Sequence, residues 1–175
     1  MYRSQSARSA KSAISANTND AAIAFLRIAV GLFFLILGQY KVFGTAFTLH
    51  GGFESDVTGM LHSGGTYPIM VLVLEKIILP HPHAIAFLVA YGEFLIGLSL
   101  IFGVLSRLAS VFGLILMLLM WLSGGYPGPH AEFWQYWGSS LDWSILALCF
   151  VAMILGRPEQ LWSLSKVRRP MLARE

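Results

Sequence analysis

The chain has 175 residues, 56% of them hydrophobic and 12% charged, where a soluble domain is roughly half apolar and a quarter charged. The formal net charge of +3 is modest and the basic residues gather at the two ends, which suits anionic lipid headgroups and excludes the basic stripe of a nucleic-acid binder. A single cysteine, Cys149, excludes an internal disulfide, a CxxC pair and a thiolate metal cluster, so any redox chemistry needs a borrowed cofactor.

Residues 1–20 are rich in Ser and Ala, carry Arg3, Arg8 and Lys11, and read as a disordered cytoplasmic tail; a mitochondrial presequence has a similar composition. The remainder, 21–157, reads as one membrane domain followed by a basic cytoplasmic tail at 158–175. Four apolar stretches are expected to span the bilayer: Ala21 to Phe43, His83 to Val104, Arg107 to Ser123 and Leu141 to Leu155. Each approaches the length needed to cross about 30 Å of hydrocarbon at 1.5 Å per residue, the fourth being marginal. Leu105 and Ser106 alone join the second and third, which demands a tight antiparallel hairpin. Between the first two lies a long connection whose second half, Tyr67 to Leu79, is apolar but too short to span and ends at Pro80 and Pro82. An interfacial or re-entrant helix is expected there. The fold class is therefore an all-α, integral membrane four-helix bundle with an extra interfacial helix in the first extracytoplasmic connection.

Basic residues near the helix ends set the orientation. Arg3, Arg8 and Lys11, then Arg107, then Arg157, Lys166, Arg168, Arg169 and Arg174 fall on one side of a four-span protein. Both termini are thus expected in the cytoplasm. The opposite side receives the long connection and the segment GGYPGPHAEFWQYWG, whose Trp134, Tyr136 and Trp137 suit a membrane interface.

Ionisable groups inside a membrane are costly and face the bundle interior, which singles out Arg27, Lys41 and Glu93. On the first span Ala24, Arg27, Gly31, Gly38 and Lys41 share a helical face, and on the second Ala86, Ala90, Glu93 and Gly97 do. Small residues beside the charges permit close helix packing, so the charges are expected to point inward toward one another. The expected pairs are Glu93 with Arg27, and Lys41 with Asp142 at the outer end of the fourth span. Two readings stand side by side. In one these are structural ion pairs that hold helix register. In the other they line a cavity for a quinone headgroup or small anion, with Glu93 exchanging protons, Arg27, Lys41, Tyr40 and Tyr91 binding the headgroup, Gln39 and Trp121 adding hydrogen bonds or a wall, and Arg107 and Asp142 pairing structurally. All five histidines, His50, His62, His81, His83 and His130, fall on or near the outer side. Their spacing is weak evidence for a metal, so no metal site is assigned, and no two sit deep in facing spans to hold an internal haem. No phosphate loop or catalytic Ser/His/Asp array has a suitable context.

The stretches LRIAVGLFFLILGQYKVFG and PHAIAFLVAYGEFLIGLSLIFGVLSRLASVFG resemble the DoxX family of small four-span membrane proteins, which includes the DoxD-like small subunit of thiosulfate:quinone oxidoreductase. The second is the more specific, with Glu93, then Gly97 and Gly103, then Arg107 opening the next span. The resemblance covers roughly residues 21–157. It implies a bundle in a bacterial plasma membrane beside a soluble or peripheral redox partner, with Arg27, Lys41, Glu93 and Arg107 as family positions. Three functions compete on these grounds. The first is a subunit of a quinone-linked redox complex that supplies a headgroup pocket and anchor. The second is a non-catalytic accessory or scaffold subunit. The third is a transporter, which the lack of an internal repeat or broken helix disfavours.

Overall fold

The computed structural model describes the backbone of residues 2–156 and the side chains of residues 19–156; Arg157 and the expected basic tail at 158–175 lie outside the described residues. Helix α1 runs Tyr2–Phe43. It continues back through the segment expected as a disordered tail, a stretch rich in alanine with neither glycine nor proline to break it. Three helices are long and apolar enough to cross a membrane: the Asn19–Phe43 portion of α1, α5 (Pro82–Phe102) and α6 (Ser106–Gly124). The fourth expected span is α8, Leu141–Leu155, about 22 Å long at 1.5 Å per residue.

The long first connection is more structured than its sequence suggests. It forms α2 (Thr45–Thr48), α3 (Gly52–His62) and α4 (Pro68–Val73), and α4 widens into a π-turn over Leu74–Ile78, closed by the Leu79 N–H donating to Leu74 O at 2.8 Å. A short α7, Phe133–Gly138, fills the aromatic connection ahead of α8. Between α5 and α6 the turn is Gly103–Leu105, with Ser106 already helical. Gly103 ends α5 in the left-handed region at φ 71°, the usual glycine C-cap. Leu105 takes φ 54°, a conformation costing a side-chain-bearing residue roughly 1–2 kcal/mol.

Two apolar cores organise the molecule. One joins α1, α5, α6 and α8 through Val30, Phe34, Ile96, Leu100, Ala109, Met117, Phe150 and Met153. The other, built from Phe53, Val57, Met70, Leu74 and Ala86, ties α3 and α4 to the start of α5 and forms a cap at that end. The closest helix pair is α1 with α5, and glycines explain the approach. A Cβ on Gly38 would lie 2.5 Å from Phe94 N, and one on Gly97 2.5 Å from Leu35 N. Gly31 faces Leu100 and Ile101 in the same way, so the two helices run antiparallel in a register set by backbone contact. Helix α8 runs antiparallel along α6, from Trp143 against Gly124 to Ile154 beside Arg107. It also meets α1, where Phe34 and Phe150 pack edge to face at 5.2 Å. Phe150 fills the notch left by Gly113, where a Cβ would fall 2.3 Å from its ring. Because Phe150 is fully buried and cannot swing aside, Gly113→Ala is expected to destabilise the protein by about 1–3 kcal/mol through overpacking. Thermal unfolding in detergent checks this, and Phe150→Leu in the same chain should recover part of the loss.

Candidate functional site

The inward-facing charges expected from the sequence are inward, but their pairing differs. Lys41 Nζ donates to Glu93 Oε1 at 2.7 Å, whereas the expected partners were Arg27 for Glu93 and Asp142 for Lys41. The register of α1 on α5 is the reason. Gly38 packs against the Glu93–Phe94 backbone, which brings Lys41, one turn further on, to the Glu93 carboxylate. Arg27 lies eleven residues before Gly38 on α1, about 16 Å down the helix axis. That places it level with the start of α6, where its Nη1 donates to Ser106 Oγ at 3.5 Å. Arg27 is 0% exposed and Ser106 and Ser110 are fully buried beside it on α6. Asp142 sits in the exposed first turn of α8, where a carboxylate complements the positive end of the helix dipole, and it makes no ion pair among the described residues.

Glu93 is 5% exposed. Its Oε1 accepts the lysine hydrogen bond, while Oε2 is buried and accepts no hydrogen bond among the described residues. A buried carboxylate oxygen without a donor is costly, because its hydration is lost and nothing replaces it. Lys41 is partly exposed at the end of α1, and its ammonium lies 4.9 Å from the Phe47 ring centroid, a cation–π contact that holds the side chain over the pair. The site is therefore a lysine–glutamate pair with one open acceptor and an ammonium with further N–H groups to give.

Other expected site residues stand elsewhere. Tyr40 and Tyr91 are 75% and 47% exposed, and Tyr91 stacks on Phe87 along the outside of α5. Neither flanks Glu93. Gln39 is likewise exposed. Arg107 does not form an ion pair among the described residues; its Nε and Nη2 donate to Ile154 O at 3.3 and 3.2 Å. It thereby satisfies an orphan carbonyl at the carboxyl end of α8, where a cation suits the dipole. Trp121 belongs to an aromatic cluster at the cap end with Tyr67, Tyr126, Tyr136 and Trp137. Burial raises the Tyr67 hydroxyl above its ordinary pKa, with the Tyr136 and Tyr126 hydroxyls adding to the rise. Trp121, Tyr136 and Trp137 were named from the sequence as a wall and as interface residues, but their meeting with Tyr67 and Tyr126 and the Phe47 contact were not expected. His50, His62 and His83 each turn Nδ1 to a backbone carbonyl, which spends that nitrogen on local structure.

Compared with known families, the chain matches the DoxX family model over residues 22–125, more than half its length. The match includes Arg27, Lys41, Glu93 and Arg107 and stops short of α7 and α8. No curated protein and no solved structure gives a match.

Proposed function

The chain belongs to the DoxX family of membrane proteins, and from that premise we propose that it is an integral membrane subunit of a quinone-linked redox complex, with the quinone headgroup received at the Lys41–Glu93 pair. The observation that carries this reading is the buried Glu93 Oε2 without a donor, beside an ammonium that can donate. A quinol hydroxyl can donate a hydrogen bond to that oxygen and a quinone carbonyl can accept one from Lys41, so the residues present fit the group. Quinone supplies the two-electron acceptor. Electrons come from a partner subunit that oxidises a reduced sulfur compound or similar donor, because the chain's single cysteine leaves it without a thiol pair of its own. Lys41 orients the headgroup, Glu93 takes protons from water at Oε2 and passes them one at a time to the quinone oxygens as the electrons arrive, and Phe47 limits the room around the ammonium.

In this reading α8 is the fourth span of a bundle with both termini and the α5–α6 turn in the cytoplasm of a bacterial cell. Supporting it, α8 packs antiparallel on α6 and exposes Ile145, Leu148 and Leu155, which suits lipid. The test is reconstitution of the full chain with its membrane neighbours. Glu93→Gln should lower quinone reduction about a hundredfold, as loss of a proton-transfer group does, while the partner still reduces a water-soluble acceptor. Unchanged quinone reduction in that variant removes the proposal. It would favour instead a non-catalytic scaffold subunit, a reading supported by the direct 2.7 Å contact in which the two charges satisfy each other.

A further inference from the structure

The inward charges form two separate polar sites. At one end Arg27 lies with Ser106 and Ser110; at the other Lys41 lies with Glu93. Residues 28–38 of α1 carry no polar side chain, and on α5 the stretch from Phe94 to Phe102 carries only Ser99. The Ser99 hydroxyl donates to Val104 O in the α5–α6 turn, away from both sites. The space between the sites is filled by Val30, Phe34, Ile96, Leu100 and Phe150, all 7% exposed or less. Gly31 and Gly97 close the remaining gap by backbone contact. This plug covers about three helical turns, and an apolar constriction of that kind excludes water and ions.

On the other side of Glu93 the situation differs. Its partner Lys41 is in the last turn of α1 and its side chain is 23% exposed, so a polar chain runs from the carboxylate to the surface at the end carrying α2, α3 and α7. A lysine stem can cover apolar surface while its ammonium reaches the interface. From this geometry we infer that the Glu93 site opens only toward the face carrying α2 and α3, and that water, protons and any polar headgroup reach it past Lys41 and Phe47, never from the side of Arg27 and the α5–α6 turn. The inference concerns the site proposed above, yet it holds whatever ligand binds there, and it rules out a through-path between the two faces.

The test uses the full chain in sealed membrane vesicles of both orientations and reads sidedness without quinone. A membrane-impermeant, water-soluble carbodiimide with an amine nucleophile is applied from either side, and amide formation at Glu93 is measured by peptide mass. Amine labelling of Lys76, exposed on the π-turn of α4, marks the α3 face. Modification of Glu93 from that face should be at least about tenfold faster than from the α5–α6 turn side, since the plug is dry. A parallel chain with Glu93→Cys in a Cys149→Ala background, treated with a charged thiol reagent, should show the same bias. Equal rates from both sides, faster reaction from the turn side, or no reaction from either side in wild-type and variant chains overturns the inference. Sided labelling combined with unchanged quinone reduction in Glu93→Gln would sink the redox proposal and leave this one standing.

Discussion

Gly38→Ala and Gly97→Ala are each expected to lower the thermal unfolding midpoint of the purified protein sharply, and the leucine variants to prevent the α1–α5 pair from forming. The added Cβ at Gly38 would stand 2.5 Å from Phe94 N and 2.7 Å from Phe94 Cα, and that at Gly97 2.5 Å from Leu35 N and 2.9 Å from Gly31 O. All four atoms are backbone, so no rotamer change relieves the clash and the helices must part. Overpacking of this kind costs about 1–3 kcal/mol even where side chains can adjust, and here separation also strips the Lys41–Glu93 contact that the approach permits. Gly92→Ala is the internal control. It lies on α5 one residue before Glu93, and a Cβ there meets nothing within 4 Å. It should leave the midpoint unchanged or raise it slightly, as alanine favours helix by roughly 1 kcal/mol over glycine. Wild-type melting in Gly38→Ala would mean that backbone contact does not set this helix pair.

The second large effect concerns the Lys41–Glu93 pair in a double-mutant cycle. Lys41→Met should destabilise the protein by about 3–5 kcal/mol, because it leaves the buried Glu93 carboxylate without its counter-charge; Glu93→Gln should cost less, because the Lys41 side chain is 23% exposed and its ammonium can turn to the interface. The double variant should cost much less than the two singles together, since a neutral pair at that depth loses both the Coulomb attraction and the desolvation penalty. Denaturant unfolding in mild detergent gives the four stabilities. Additive losses would show that the 2.7 Å contact contributes nothing to folding. Stability and the proposed role then separate: a double variant that folds like wild type but lowers quinone reduction in the reconstituted complex would support the proposal that the pair acts on quinone.

That the charges of the membrane helices turn inward was legible in the sequence. Charges at Arg27, Lys41 and Glu93 shared helix faces with Ala24, Gly31, Gly38, Ala86, Ala90 and Gly97, and the structure buries Arg27 and Glu93 on those faces with the glycines at the closest approach. That deduction works because helical periodicity is local and a membrane offers charges no other direction. Tyr40 and Tyr91 are placed differently from the charges. Both are only a few residues from the charges, but their positions around the helix turn them outward, where an amphipathic ring is content at a lipid surface.

From its sequence alone the chain was already a helical membrane protein with inward charges and small-residue faces, because hydropathy and period depend on neighbours along the chain. Which charges meet could not be read that way. The expected Glu93–Arg27 pair required the right depth on both helices, and depth depends on how far α1 slides along α5. Gly38 against Phe94 and Gly97 against Leu35 settle that slide by backbone contact. One turn of helix is about 5.4 Å, more than the reach of a 2.7 Å ion pair. Register, a property of two helices together, therefore gave Glu93 to Lys41, left Arg27 with Ser106, and put buried apolar side chains between them.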